Sequence, residues 1–238
     1  MRSPSVMLDL VVRLHRTAGD GRAAARALLA ETAAAMAGAS PGAVAVGRAA
    51  WGAPLLRGAA AGLHASVSHT RGLVAVAVSR LGPVGVDVEA VRPLPALELS
   101  RRWFATEDTD WLRGQPGERL DIGFLSLWTG KEAVAKLYGA GLRGGRLLRL
   151  RTAPPQPPAW RPAVDDPGVL VTHRELPGHL LAVASVAAVL DARYRLYPFA
   201  GGACSRARGG REPGRIASEQ GGHGEGEDDR QVSCGLPE

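Results

Sequence analysis

The chain is short of cysteine and aromatic residues, and it has no long apolar run. Its two cysteines, Cys204 and Cys234, both follow residue 199, so the preceding chain holds neither a disulfide framework nor a thiolate metal site. Aromatic residues make up 5% of the 238 and are not interleaved with the arginines, which weakens a prediction of base stacking on nucleic acid. No apolar run approaches the roughly 20 residues that span a bilayer, so we expect no membrane segment.

The N-terminal stretch does not resemble a targeting signal. Its short apolar segment is interrupted by Asp9 and Arg13 and lacks a small-residue cleavage site. We therefore expect a cytoplasmic protein. Hydrophobic residues make up 45% of the chain, which is enough for a core, and the length allows one large domain or two small ones.

The positive charge is concentrated outside the C-terminal tail. The net charge is +6, and the tail from Ala200 holds five arginines and seven acidic residues, which leaves +8 on the preceding residues. A basic body suggests an anionic partner. Nucleic acid, a phosphorylated cofactor and an acidic protein all fit this charge.

Lysine is the scarcest of the charged residue types. Of the 29 basic residues only Lys131 and Lys136 are lysines, and they lie five positions apart. Arginine and lysine are not interchangeable where a compact ammonium is needed. Chance clustering is one explanation, but we interpret the pair as an indication of chemistry in this segment.

Hydrophobic patterning predicts an α+β protein. Helices are predicted over 21–38, 97–112 and 120–137. Strands over 64–68, 73–79 and 84–89 are separated by short turns and suggest a meander. A second strand–turn–strand unit over 169–188 looks similar to the first, which suggests an internal duplication.

The tail over 200–238 has a different composition from the rest of the chain. It lacks aromatic residues and is rich in glycine and in charges of both signs. Such a segment buries too little apolar surface to offset the entropy of ordering it, so we predict a disordered tail.

The first candidate site is the segment Gly-Val-Asp-Val-Glu at 85–89. On a strand, Asp87 and Glu89 point to the same side, while Val86 and Val88 face the core. Two carboxylates side by side on an apolar strand favour a hard divalent cation. An ordinary solvated strand end is the alternative.

The second candidate site is the segment Lys-Glu-Ala-Val-Ala-Lys at 131–136. On a helix, Glu132 and Lys136 lie on one face, which taken alone is compatible with a surface ion pair. The two segments together supply three carboxylates and two ammonium groups. Magnesium held by carboxylates and phosphate oxygens, with lysines neutralising the remaining charge, would suit chemistry on a diphosphate.

Several segments, in order and with the right gaps, resemble the 4′-phosphopantetheinyl transferase superfamily. Its pattern of Gly–[Val/Ile]–Asp–x–Glu matches 85–89. Its aromatic–x–x–Lys–Glu–[Ala/Ser]–x–x–x–Lys pattern matches 128–136 as Trp-Thr-Gly-Lys-Glu-Ala-Val-Ala-Lys. Upstream, Ser-Val-Ser-His-Thr at 66–70 looks like the family's Ser–His segment, and Phe-Ala-Thr-Glu at 104–107 resembles another family stretch.

The resemblance implies a fold and a domain organisation. Length and repeated hairpins are similar to the monomeric, pseudo-duplicated, surfactin-synthetase-activating type. It implies two similar α/β halves over 1–95 and 96–199, followed by the tail at 200–238. Coenzyme A would bind in the cleft between the halves.

The resemblance also implies a set of site residues. Asp87, Glu89 and Glu132 would bind Mg²⁺ on the pyrophosphate of coenzyme A. The cofactor would be contacted by a group of polar and basic residues, namely Ser68, His69, Lys131, Lys136, Arg22 and Arg26. The family often has a lysine where this chain has Ala53, and Arg48 or Arg57 would have to substitute for it.

The reaction implied by the family is the transfer of phosphopantetheine to a serine of an apo carrier protein, acyl or peptidyl. Glu132, Lys136 and Glu107 are the candidate catalytic residues, with Glu132 the first choice as proton acceptor and Glu107 or Glu89 as alternatives. Carriers of fatty-acid, polyketide and nonribosomal-peptide synthesis all remain open. A non-catalytic module that binds coenzyme A or a carrier, and a nucleic-acid-binding protein, are the competing hypotheses.

Overall fold

A computed structural model describes residues 9–49, 52–139, 150–155, 157, 159–186 and 194–197. Its strands are β1 (Leu10–Arg16), β2 (Val44–Arg48), β3 (Pro54–Gly58), β4 (His64–Thr70), β5 (Leu73–Ser79), β6 (Val84–Ala90), β7 (Arg161–Ala163), β8 (Asp166–Leu176), β9 (His179–Val186) and β10 (Tyr194–Tyr197). Its α-helices are α1 (Gly21–Ala37), α2 (Ala96–Trp103), α3 (Thr106–Arg113) and α4 (Leu120–Leu137). The predicted mixed α+β class is therefore confirmed, while the tail over 200–238 lies outside the described residues.

Two four-stranded sheets form the centre of the described structure. The first has the strand order β10-β1-β5-β4 and the second β6-β9-β8-β7, while β2 and β3 form a separate two-stranded ribbon. The strands of the second sheet are antiparallel throughout, and in the first only β1 and β10 are parallel. No helix in the described residues is long and apolar enough to cross a membrane.

The core has the order helix, sheet, sheet, helix. On β5, Val74, Val76 and Val78 pack against α1, whereas the alternate residues face the second sheet. On β9, Leu181 and Val183 face the first sheet, and Ala182 and Ala184 pack against α4. A strand buried on both faces has no polar alternation, which explains why β5 is almost wholly apolar.

The predicted meander over 64–89 is wrong in its third strand. Strand β5 pairs with β4 on one edge and with β1 on the other, so neither edge is left for β6. The chain passes through Gly82, and β6 pairs with β9 in the second sheet instead. Adjacency in sequence suggested a meander, and the pairing of β1 with β5 excludes it.

The helices predicted over 21–38 and 120–137 agree with α1 and α4, whereas the helix predicted over 97–112 is interrupted at an aromatic residue. The segment predicted as one helix over 97–112 is two, because Phe104 takes an extended conformation between α2 and α3. Its ring packs against Phe124 at a centroid distance of 4.8 Å and Trp128 at 6.4 Å. This buried cluster joins α2 and α3 to α4, which carries the second candidate motif.

Candidate active site

Gly85 allows β6 to lie directly against α4. A Cβ atom at this position would overlap the carbonyl oxygen of Ala133 and lie 2.8 Å from the backbone nitrogen of Leu137. Only glycine accommodates so close an approach of strand and helix backbone. The two candidate motifs are therefore in contact, and Asp87 shares the face of β6 that Gly85 turns towards α4, while Val86 and Val88 face the first sheet.

Asp87 is the residue at which three segments meet. Its Oδ1 atom accepts a hydrogen bond from Lys136 Nζ of α4 at 2.7 Å and another from Ser68 Oγ of β4 at 2.7 Å. Asp87 is only 5% exposed. The structure thus brings together Ser68, Asp87 and Lys136, which lie 19 and 49 positions apart in the sequence.

Two buried carboxylate oxygens at this site find no partner in the described part of the chain. Among the described residues, neither Asp87 Oδ2 nor Glu132 Oε1 has a hydrogen-bond partner. Burial, together with the neighbouring Asp87 carboxylate, raises the pKa of Glu132 from 4.5 to about 8, and Lys136 opposes the shift. Unpartnered buried carboxylate oxygens are costly and indicate that a cation or a proton belongs here.

Glu89 points to the same site but has a partner of its own. Its Oε2 atom forms an ion pair with Arg92 Nη1 at 2.9 Å. Burial and the charge of Asp87 raise the pKa of Glu89, and the hydrogen bond from Arg92 opposes the rise. Glu89 and Glu132 are thus both destabilised as anions by Asp87, as expected when carboxylates share one site.

The donor set fits a hard divalent cation, although the side chains are not arranged around one. In the part of the chain that the structure describes, no three acidic, histidine or cysteine side chains form a ready metal site. The carboxylate oxygens are nevertheless of the kind that Mg²⁺ prefers, and Asp87 Oδ2 and Glu132 Oε1 lack other partners there. We conclude that Asp87 and Glu132 fit such an ion and that Glu89 could offer it only the oxygen that Arg92 does not contact.

Positive charge lies beside the carboxylates. Gly21 is the first residue of α1, and the ring of His69 packs close to it. A Cβ atom at Gly21 would lie 3.4 Å from the ring atom Cγ of His69. Burial lowers the pKa of His69, and the charges of Arg22 and Lys136 lower it further. His69, Arg22 and Lys136 therefore share one electrostatic environment, which suits an anionic ligand.

Arg26 follows Arg22 by one turn of α1, and the structure describes it beside β2. It lines a cavity of about 460 Å³ between α1 and β2. The other lining residues are small or apolar, namely Ala23, Ala27, Ala30, Val44, Ala45 and Val46. None of them is among the carboxylates or lysines of the candidate motifs, so this cavity gives no support to Arg26 as a cofactor-binding residue.

Lys131 is not beside Lys136, contrary to expectation. It is 0% exposed, and its Nζ atom forms an ion pair with Asp108 Oδ2 at 2.6 Å and donates to the Leu150 carbonyl. The ammonium also lies 5.1 Å from the centre of the Phe104 ring. Its donors are used within the protein, so we leave Lys131 out of the proposed cofactor site.

The direction of Lys131 follows from helix geometry. At about 100° per residue, Glu132 and Lys136 are about 40° apart around α4, whereas Lys131 and Lys136 are about 140° apart. Two side chains with that separation do not share a face. The five-residue spacing of the two lysines on a helix already indicated different faces, but the interpretation of the lysines as a pair did not take it into account.

Glu107 is a surface residue in the structure. Its carboxylate forms an ion pair with Arg151 at 3.2 Å, and its side chain is 64% exposed. Arg151 is also bound to Asp165 at 3.0 Å. These contacts give no support to Glu107 as a proton acceptor, because they place it in the surface network next to Asp108 rather than with Asp87.

Two residues with structural roles at the site were not predicted. Asp108 neutralises Lys131, and Arg92 neutralises Glu89. Burial raises the pKa of Asp108 and lowers that of Lys131, while each charge opposes the shift of the other. Only Arg92 had a signal in the sequence, since it lies three residues from Glu89.

The fold and the site together define a mixed α+β protein with a buried carboxylate–lysine centre between β6 and α4. Residues 83–178 match the family model of the 4′-phosphopantetheinyl transferase superfamily. This segment includes β6, α4 and both candidate motifs. The resemblance drawn from the motifs is therefore confirmed for this part of the chain.

Curated relatives agree with the family match. The chain is similar to the 4′-phosphopantetheinyl transferase HetI of Nostoc sp. (strain PCC 7120), with 33% identity over 132 residues, 52% of this chain and 56% of HetI. It is 38% identical over 82 residues to psf-1 of Bacillus pumilus, covering 34% of each chain. It is 36% identical over 80 residues to Sfp of Bacillus subtilis (strain 168), covering 33% of this chain and 34% of Sfp.

All three of these relatives are named 4′-phosphopantetheinyl transferases, so the resemblance is to enzymes. The chain spans between a third and just over half of the length of each.

Proposed function

We propose that this protein is a 4′-phosphopantetheinyl transferase. It moves the phosphopantetheine arm of coenzyme A to a serine of an apo acyl or peptidyl carrier protein and releases adenosine 3′,5′-bisphosphate. The observation that carries the proposal is the contact of the part-exposed Lys136 with the buried Asp87, beside the buried Glu132, within the segment that matches the superfamily.

Asp87, Glu132 and Glu89 are the proposed ligands of Mg²⁺. The unpartnered oxygens of Asp87 and Glu132 support the first two, and Glu89 is supported by its position two residues after Asp87 on the same face of β6. When bound, the ion would stabilise negative charge on the diphosphate during transfer. Arg92 would compete with the ion for Glu89, because the two bind the same carboxylate.

Lys136, His69 and Arg22 are the proposed contacts of the coenzyme A phosphates. Lys136 is part-exposed and presents a compact positive charge beside the carboxylates. Arg22 extends the positive region to the N-terminus of α1, and His69, whose lowered pKa favours the neutral ring, would contribute an imidazole N–H donor. Arg22 and His69 belong to the proposed half 1–95 and Lys136 to the proposed half 96–199, in keeping with cofactor binding between two halves.

Glu132 is the proposed acceptor of the carrier serine's proton. Burial raises the pKa of Glu132 to about 8, so its ionised carboxylate is a stronger base than that of an ordinary glutamate, and it is this ionised form that would accept the proton. Glu89 is less suited because Arg92 stabilises its charge, and Glu107 because it lies on the surface with Arg151. A serine hydroxyl placed beside Glu132 would give up its proton as its oxygen attacks the β-phosphate.

We also propose that the fold is pseudo-duplicated and that the protein acts as a monomer in the cytoplasm. The support is the pairing of each sheet with one long helix, α1 with the first and α4 with the second. In the chain, 1–95 and 96–199 are the proposed halves, although β6 precedes residue 95 and pairs with β9 of the second sheet. Fatty-acid and secondary-metabolite carriers are both candidate partners; nucleic acid and membranes are not.

A non-catalytic module that binds coenzyme A or a carrier is less well supported. Such a module has no need of buried carboxylates that lack partners, since they destabilise the fold. The retention of Asp87, Glu132 and Lys136 in one buried centre therefore favours the enzyme.

The test is an incubation of the protein with coenzyme A, Mg²⁺ and apo carrier proteins of each class, followed by mass spectrometry of the carrier. We expect a gain of one phosphopantetheine. Asp87→Ala should abolish it, whereas Asp110→Ala, which removes an exposed carboxylate on α3, should not. The proposal fails if no carrier is modified, or if Asp87→Ala and Glu132→Ala transfer as well as the wild type.

A further inference from the structure

Strands β4 and β6 lie side by side although they are edge strands of different sheets. Three hydroxyl side chains on β4, two residues apart, face three backbone N–H groups on β6, also two residues apart. The hydroxyl oxygens accept from these groups, Ser66 from Val86 at 3.0 Å, Ser68 from Val88 at 3.4 Å and Thr70 from Ala90 at 3.3 Å. We call these three bonds the hydroxyl ladder.

The hydroxyl ladder satisfies the outer edge of β6 without another strand. A strand directs alternate N–H groups to each side, so those of Val86, Val88 and Ala90 point away from β9. Buried N–H groups need acceptors, and side chains spaced by two on β4 match their spacing. The ladder therefore joins the two sheets along the edge where the candidate active site lies.

Ser68 has a second role that Ser66 does not share. Its hydroxyl donates to Asp87 Oδ1 at 2.7 Å, and this is the same oxygen that Lys136 contacts. The hydrogen bonds among the described residues join Ser66 to Val86 but not to Asp87. One oxygen of Asp87 is therefore held by two donors, while the other is left without one in the described structure.

The number of hydrogen bonds that the Ser68 hydroxyl can donate limits what else the side chain can bind. A serine hydroxyl has one proton to donate. In the structure that proton goes to Asp87, and the Val88 N–H occupies one of the oxygen's lone pairs. A phosphate oxygen needs a donor, so it would have to displace Asp87 to bind Ser68.

We propose that Ser68 is a positioning residue for Asp87 rather than a contact of coenzyme A. It holds Oδ1 and leaves Oδ2 as the oxygen that would bind the cation. The inference deepens the proposed function, since it assumes that Asp87 is a metal ligand, but it concerns how this chain orients that ligand.

Ser66→Ala is the matched control for Ser68→Ala. Both changes remove one bond of the hydroxyl ladder at a buried serine on the same strand, and Ser68→Ala should lose more stability in urea because it also removes a hydrogen bond to a buried carboxylate. Only Ser68→Ala removes a bond to Asp87. If Ser68→Ala does not fold, Ser68→Cys, with similar volume and a weaker donor, should show the same direction of effect.

The first measurement is Mn²⁺ binding to the protein alone, followed by the loss of the free-ion signal in electron paramagnetic resonance. Loss of a residue that orients a metal ligand typically lowers metal affinity about 10-fold or more. We expect such a loss for Ser68→Ala relative to Ser66→Ala, and recovery in Ser68→Thr. Equal affinities of the two alanine variants, or no Mn²⁺ binding by the wild type, would overturn the inference.

The second measurement is coenzyme A binding by calorimetry, with EDTA and with Mg²⁺. A positioning role predicts that Ser68→Ala matches Ser66→Ala in EDTA and is weaker only with Mg²⁺. A direct contact predicts an equal loss under both conditions and would refute the inference. If no carrier is modified but Ser68→Ala still binds Mn²⁺ more weakly than Ser66→Ala, only the proposed function is rejected. If carriers are modified but the two variants bind Mn²⁺ equally well, only this inference is rejected.

Discussion

Replacing Glu132 by glutamine should stabilise the metal-free protein, and more so at high pH. Burial beside Asp87 raises the pKa of Glu132 to about 8 in the folded protein, against 4.5 unfolded. Between these values the folded state binds the extra proton, so stability falls as pH rises. At 1.36 kcal/mol per pKa unit, the wild type should lose at most about 4 kcal/mol between pH 5 and 9 through this residue. Water or a counter-ion entering the site would reduce the loss.

The assay is urea unfolding of wild type and Glu132→Gln in EDTA at pH 5, 7 and 9. The difference in unfolding free energy between the two proteins should grow with pH in favour of the variant. Other titrating groups are present in both proteins and largely cancel in the difference. Adding Mg²⁺ should reverse the order, because the variant loses a proposed ligand. A difference that does not change with pH would refute the burial of an uncompensated carboxylate.

Two further predictions concern residues that place the site. Gly85→Ala should lower the free energy of unfolding in urea by about 3 kcal/mol or more, because the new methyl group would overlap the Ala133 carbonyl. Gly42→Ala is the control, since there is open space around Gly42. Equal losses in the two variants would contradict the close packing at Gly85. Lys131→Met should cost about 3–5 kcal/mol by leaving Asp108 buried and unpaired, and adding Asp108→Asn should restore much of it. In calorimetry, coenzyme A affinity of the folded Lys131→Met protein should be unchanged, and a large loss of affinity would contradict a purely internal role.

The site could be predicted from the sequence where spacing within one element was sufficient. The phase of α4 puts Glu132 and Lys136 on one face, and alternation on β6 puts Asp87 opposite the core-facing valines. The two segments were brought together only by resemblance to a family, since periodicity within an element does not specify which elements meet. Gly85 is the physical reason that they do, because it removes the side chain that would separate β6 from α4.

The features that could not be predicted depend on contacts between distant parts of the chain. The pairing of β1 with β5 excluded the meander, and nothing in residues 64–89 indicated it. Ser68 was expected to contact the cofactor, and only the position of β6 shows that its proton is donated to Asp87. The spacing of Ser66, Ser68 and Thr70 by two is visible in the sequence, but it does not show that β6 is the strand whose N–H groups they accept from.

The scarcity of lysine now has a physical interpretation that differs for the two residues. Lys131 lies between Asp108, a backbone carbonyl and the face of Phe104, a fully buried position that suits a compact ammonium better than a planar guanidinium. Lys136 binds a single oxygen of Asp87, whereas an arginine fork would tend to engage both oxygens and compete with a cation. The scarcity of lysine therefore pointed to two positions that suit lysine better than arginine. Lys131 stabilises the fold, whereas Lys136 belongs to the proposed site.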